Sequence, residues 1–126
     1  MRAADTNVLV RLIARDDPAQ IDAAETFISK GVWVSLVVLT EAVWVLQRAY
    51  QKTPQELMTI VEMLLAHEHI TVQDADAVTS ALRVFGRKPA LGFSDCLIVE
   101  IARKAGHLPL GTFDRNLGKL DGAERL

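Results

Sequence analysis

Sixteen acidic residues are spread along the chain, and four of them differ from the rest by context. Asp5 closes the short β-like run "RAAD". Glu41 lies inside "VSLVVLTEAVWVL", which is apolar except for Ser35, Thr40 and Glu41 itself. Asp95 falls in the first turn of the helix-like segment "SDCLIVEIARKAG", and Asp114 follows the β-like "LPLGTF". An ionised carboxylate in an apolar setting is costly unless something compensates it. Carboxylates gathered at one place repel each other and bind protons more tightly, and a cation removes the conflict. Oxygen-only ligands with room for water suit Mg²⁺ or Mn²⁺, whereas Zn²⁺ prefers His or Cys. A cation held this way polarises a phosphoryl oxygen and acidifies a bound water, which is phosphate chemistry.

Each of the four also has an ordinary structural reading. Asp5 can cap a helix, Asp95 can favour a helix N-terminus through the dipole, and Asp114 can form a turn. Glu41 can pair with Arg11 or Arg48. The remaining acids do local work: Asp17 and Asp74 read as caps, Glu56 as half of a capping box, and the others as solvated surface. What sets the four apart is a shared address. Each stands at the carboxyl end of a strand or near the start of the helix that follows.

The elements that create this address can be read from period and punctuation. "RAAD" leads into a helix over "TNVLVRLIA", with Thr6 or Asn7 near its cap. Asp17 and Pro18 open a second helix that stops at Gly31. Val32–Leu36 is a second strand, followed by the helix carrying Glu41, which must end before Pro54. "TPQE" opens a helix running to about His67. A third strand covers His69–Gln73, and Asp74 caps a helix ending near Gly86. "RKPALGF" is a loop, and Ser94 caps the next helix, which Gly106 ends. "LPLGTF" is the fourth strand, and the tail is a loop or short helix with a last small strand. This rhythm implies an α/β fold, a mostly parallel sheet with helices on both faces, with ligands at the carboxyl ends of the strands.

Bulk composition agrees. The 126 residues make one domain's worth of chain, 50% hydrophobic and 24% charged, which is globular rather than disordered. The longest apolar run is too short for a membrane span, and the N-terminus lacks a signal-peptide pattern. A single cysteine, Cys96, excludes an intramolecular disulfide and fits a reducing cytoplasm. The net charge of −2 does not itself suggest a nucleic-acid binder, although an acidic pocket on a basic surface gives the same total.

Four segments, "DTNVLV", "LTEAVWVL", "FSDCLIVEIARKAG" and "GTFDRNLGKL", occur in order over nearly the whole chain. Together they resemble the PIN-domain ribonucleases and, more narrowly, the VapC-type toxins of bacterial toxin–antitoxin pairs. The resemblance implies a single PIN domain over residues 1–126. Its fold would be a Rossmann-like three-layer α/β/α sandwich around a central, mostly parallel sheet of four to five strands. The implied activity is Mg²⁺- or Mn²⁺-dependent hydrolysis of RNA by an activated water. By resemblance Asp5, Glu41, Asp95 and Asp114 are the metal-binding acids, Asp5 and Asp95 the most direct. Thr112 matches the small hydroxyl residue two positions before the last acid, expected to hydrogen-bond Asp5 or a metal-bound water. Asn116 stands where some relatives carry another acid, which bears on a second metal. The implied partners are RNA and a small VapB-like antitoxin that wraps the helical region from Asp17 to Tyr50 and beyond, with homodimers or hetero-oligomers common.

Other signals are weaker. Arg87, Lys88, Arg115 and Lys119 flank the acids in sequence and can meet RNA phosphates, or be solvated charge. Phe93 is expected to be exposed for stacking on a base, while Trp33 and Trp44 are expected in the core. His67 and His69 form H-x-H at a helix end and align only if extended; Cys96 reads as core. A receiver domain would need an acid pair near the first strand, and a haloacid-dehalogenase-like phosphatase would need Asp-x-Asp where Asn7 stands. The remaining alternative is a PIN module that binds RNA or an antitoxin-like partner without cutting.

Overall fold

The computed structural model describes all 126 residues, which divide into two compact units, Met1–Ala75 and Asp76–Leu126.

In the first unit, β1 (Arg2–Ala3), α1 (Thr6–Ala14), α2 (Pro18–Ile28), β2 (Val32–Val34), α3 (Leu36–Arg48), α4 (Pro54–Ala66) and β3 (Ile70–Val72) follow one another. The three strands form one parallel sheet in the order β1-β2-β3. Each step crosses over through a pair of helices. Among these helices, α1 packs against α2 and α3, and α3 against α4.

The strands are buried on alternate residues. Val32, Val34, Ile70 and Val72 are in the core, while Trp33 and Thr71, paired in register with Ala3, form an exposed row. Trp33 therefore does not sit in the core as expected; the period of two turns it to the opposite face from its valine neighbours.

Helix ends follow the sequence closely. Asp17 accepts from the amide of Gln20 ahead of Pro18. Thr53 and Glu56 form both bonds of a capping box. Asp5, not Thr6 or Asn7, is the cap of α1. Ser35 caps α3 through the amide of Val38, so β2 ends sooner than expected. The Gln73 side chain accepts from the amide of Leu36, and its own amide donates to Val34, tying the end of β3 to the β2–α3 junction.

The second unit holds α5 (Ala75–Arg87, from its second residue on), α6 (Phe93–Ala105), β4 (Leu110–Thr112), a 3-10 turn at Leu117–Lys119 and β5 (Ala123–Arg125). β4 and β5 pair in parallel. Its core includes Val78, Ala81, Phe85, Phe93, Cys96, Leu97 and Val99. Ser94 is not the cap of α6. Gly92 takes that place with extended angles, and its carbonyl accepts from Asp95 and Cys96. Gly106, at φ 83°, ends the helix in the left-handed region that glycine adopts without strain.

Candidate active site

Asp5 stands where the first parallel ladder stops. The amide of Ala4 still donates to Trp33, and Asp5 then turns the chain into α1, with Oδ1 accepting from the Thr6 amide at 2.8 Å. The residue is exposed. Cap and ligand are compatible roles, because one bond to one oxygen leaves the other oxygen of the carboxylate unused.

Glu41 occupies a different setting from the one its sequence suggests. The buried row of α3 is Leu39, Ala42, Val43 and Leu46. Glu41 lies about 200° around the helix from Leu39, at 100° per residue. It shares the outer row with Val37, Trp44 and Arg48, all exposed. Burial in an apolar environment is thus corrected: the run is apolar in sequence, but the helix sends part of it outward. Trp44, 59% exposed, is likewise not core. Neither structural partner holds Glu41. Arg11 binds Asp16 and the Tyr50 hydroxyl, each at 3.0 Å, and Arg48 lies over the Trp44 ring at 5.5 Å. Within its unit Glu41 has no hydrogen bond or ion pair.

Asp95 is the third residue of α6 and half-buried. An acid placed there only to suit the dipole would have its charge stabilised. Instead burial first, and the charge of Asp114 second, raise its pKa above the ordinary carboxylate value. Asp114 follows β4 and is itself held. Its amide donates to Thr112 Oγ1 at 3.0 Å, and its Oδ1 accepts from the Leu117 amide at 2.8 Å. Within the second unit the Thr112 hydroxyl therefore orients Asp114.

The structure brings Asp95 and Asp114 into electrostatic contact in the second unit, while Asp5 and Glu41 belong to the first. Within each unit no three His, Cys, Asp or Glu side chains are grouped as a metal site. The chemistry of the Asp95–Asp114 pair nevertheless fits a hard divalent cation: oxygen donors only, like charges, and a carboxylate whose proton affinity is already raised.

The flanking residues sort unevenly. Arg87, Lys88, Arg115 and Lys119 are exposed and make no side-chain bond. Phe93 is 4% exposed and packs edge-on against Phe85, so its expected exposure is corrected. It is the first residue of α6, and the inward row of that helix begins with it. His67 and His69 sit side by side, but the His69 amide donates to His67 Nδ1 and so occupies that lone pair. Cys96 is fully buried, and burial pushes its thiol up to about 11, which keeps it protonated and inert.

Two further features lie outside the acids; the sequence pointed broadly to the first, as an apolar partner surface from Asp17 onward, and missed the second. The first unit carries an apolar groove of about 960 Å³ between α1, α2 and α4, lined by Leu12, Ile13, Ile28, Ile60, Met63 and Leu64. The second unit carries a cleft of about 290 Å³ beside α6. Glu100, which reads as solvated in the sequence, is nearly covered there and pairs with Arg103. Helical spacing was the only available signal for either. No helix is long and apolar enough to cross a membrane.

A model of the PIN domain matches residues 3–123. Among curated proteins, the VapC ribonuclease of Aquifex aeolicus (strain VF5) is 25% identical over 126 residues, covering 95% of this chain and 92% of that protein.

Proposed function

Since the chain belongs to the PIN-domain family, we propose that it is a Mg²⁺- or Mn²⁺-dependent endoribonuclease, the toxin of a VapBC-like toxin–antitoxin pair. The observation that carries this reading is the Asp95–Asp114 pair, a half-buried carboxylate whose pKa is raised by burial and by the charge of a second carboxylate that Thr112 and Leu117 hold in place. The similarity to a VapC ribonuclease over 95% of the chain supports the toxin assignment.

In this reading Asp5, Glu41, Asp95 and Asp114 are the acids of the reaction, Asp5 and Asp95 the most direct ligands. A divalent cation, when bound, supplies Lewis-acid polarisation of a phosphoryl oxygen and makes a water acidic enough to attack. The protein's own part is positional. Thr112 fixes the backbone of Asp114, and the Leu117 amide fixes one of its oxygens. The start of β1's loop and the cap of α1 fix Asp5. Carboxylate oxygens left free of these bonds can accept a proton from the attacking water. Arg87, Lys88, Arg115 and Lys119, exposed and unpaired, supply contacts to RNA phosphates. The apolar groove along α4 is where an antitoxin helix would dock, and its place on α1, α2 and α4 refines the broader helical region expected. The site of action is the cytoplasm, which suits a lone buried thiol.

The test is incubation of the purified, antitoxin-free protein with total tRNA and a panel of structured RNAs in Mg²⁺, Mn²⁺ or EDTA. Discrete cuts that need metal and vanish in Asp95→Asn are expected. RNA or partner binding without metal and without cutting would replace this reading by the non-catalytic module.

A further inference from the structure

We propose that the outer row of α3 is a track for single-stranded RNA: Trp44 stacks on the base next to the phosphate handled at Glu41, and Arg48 meets a phosphate further along. The proposal rests on the nuclease reading above for the part of Glu41, though not for the stacking chemistry of Trp44.

Two large apolar side chains on this row face water, Val37 at 73% exposure and Trp44 at 59%. Single exposed hydrophobics are ordinary, but these two flank one carboxylate on one helix. Relative to Glu41, Val37 lies about 6 Å back along the axis, Trp44 about 4.5 Å forward and Arg48 about 10.5 Å forward, all within about 60° of one line. Leu39, Ala42, Val43 and Leu46 take the core side of the helix. Their packing fixes the phase of α3 and so holds the Trp44 ring outward.

The chemistry of the row matches a nucleic acid. The Arg48 guanidinium lies over the Trp44 ring at 5.5 Å and has no acid partner in its unit. An unpaired base stacks on a ring that is open in this way, and the cation strengthens the stack and draws a phosphate. A different protein covering the row would bury Glu41 and Arg48, each without an opposite charge in this chain. A second copy laid antiparallel can pair them, Glu41 to Arg48, but only by closing Glu41 off from RNA. The test therefore reads oligomeric state as well.

The spacing matches too. At roughly 3.4 Å per nucleotide of a stacked strand, about 4.5 Å is on the order of one step and about 10.5 Å on the order of three. A strand with a phosphate at Glu41 brings its next base over Trp44 and a later phosphate to Arg48. Every base has a π-face, so the track fixes where the strand lies rather than which base is read.

The experiment measures binding of a short, fluorescein-labelled single-stranded RNA of mixed sequence to the full chain in EDTA, by anisotropy over a range of salt. Trp44→Ala and Trp44→Leu should each weaken binding by about fivefold or more, while Trp44→Tyr, which keeps a ring, stays within about twofold. Arg48→Gln should lower the slope of log affinity against log salt by about 0.7, the share of one phosphate contact to a single strand, and Trp44→Ala should leave the slope unchanged. RNA should quench the indole emission of the wild type and of Trp33→Phe, but not that of Trp44→Tyr. Sedimentation should give the same mass for the wild type and Trp44→Ala. A leucine variant that binds like the wild type, an unchanged salt slope in Arg48→Gln, or no RNA binding in EDTA would each overturn the track. A wild-type dimer that Trp44→Ala turns into a monomer would overturn it in favour of a second copy. The two readings separate: metal-dependent cutting by a Trp44→Ala variant of wild-type affinity removes the track alone, and Trp44-dependent binding without cutting in Mg²⁺ or Mn²⁺ removes the nuclease alone.

Discussion

Asp95 and Asp114 oppose one another. The first is half-buried in the opening turn of α6, and the charge of the second adds to burial in raising its pKa. A carboxyl whose native pKa exceeds its ordinary 3.8 supports the fold below that value and loses this support as pH rises through the raised one. In EDTA at neutral pH, Asp95→Asn and Asp114→Asn are each expected to relieve the same repulsion. Their effects on melting temperature should be less than additive, because the two charges interact. Adding Mn²⁺ should raise the melting temperature of the wild type more than that of either variant. Additive effects in EDTA would show that the two acids are independent.

Glu41 separates function from stability. It is exposed and makes no bond within its unit, so Glu41→Gln should change stability by less than about 0.5 kcal/mol. If it is an acid of the reaction, RNA cleavage should fall by about 10–100-fold, as loss of a metal-site group does. Equal cleavage by the variant and the wild type, measured on the same RNA, would remove Glu41 from the site.

Thr112 acts through Asp114. Thr112→Ser keeps the oxygen that accepts from the Asp114 amide, and should keep activity. Thr112→Val removes it at a cost of about 1 kcal/mol and should lower cleavage while shifting the Mn²⁺ concentration needed upward. A valine variant with unchanged metal dependence would mean that Asp114 is oriented by the Leu117 amide alone.

Phe93 belongs to the core. Phe93→Ala should cost about 3–5 kcal/mol in a denaturant titration, as buried aromatics do. Trp44→Ala, at an exposed position, should cost far less. A small loss in Phe93→Ala together with weakened RNA binding would instead return the ring to a stacking role.

Tyr50 bridges two charges. Its hydroxyl donates to Asp16 at 2.9 Å and accepts from Arg11 at 3.0 Å. That hydroxyl is the largest cause holding Asp16 below its ordinary pKa. A depressed carboxylate contributes stability above its ordinary pKa of 3.8 and loses it as pH falls through the native value. Tyr50→Phe should therefore raise the Asp16 pKa towards 3.8 and lower the melting temperature slightly at neutral pH, with a smaller difference at acid pH. Carbon-detected NMR titration of the Asp16 carboxyl reads the first effect directly.

Local chemistry determined much of this protein from sequence alone. Pro18 after Asp17, the Thr53–Glu56 box and Gly106 mark helix ends because caps and left-handed turns depend on neighbours a few residues away. The strand–helix alternation and parallel pairing followed for the same reason, as did the choice of Asp5, Asp95 and Asp114 at strand and helix junctions. Tertiary structure decided which way each side chain faces. It turned Trp33 and Glu41 outward and Phe93 inward, because a run of apolar residues satisfies both faces of an element until packing selects one. It also decided the partners: Arg11 went to Asp16 and Tyr50, Thr112 to Asp114, and Glu100 to Arg103. Those pairings depend on chain segments distant in sequence or on the exact phase of a helix, and neither is written in residue types.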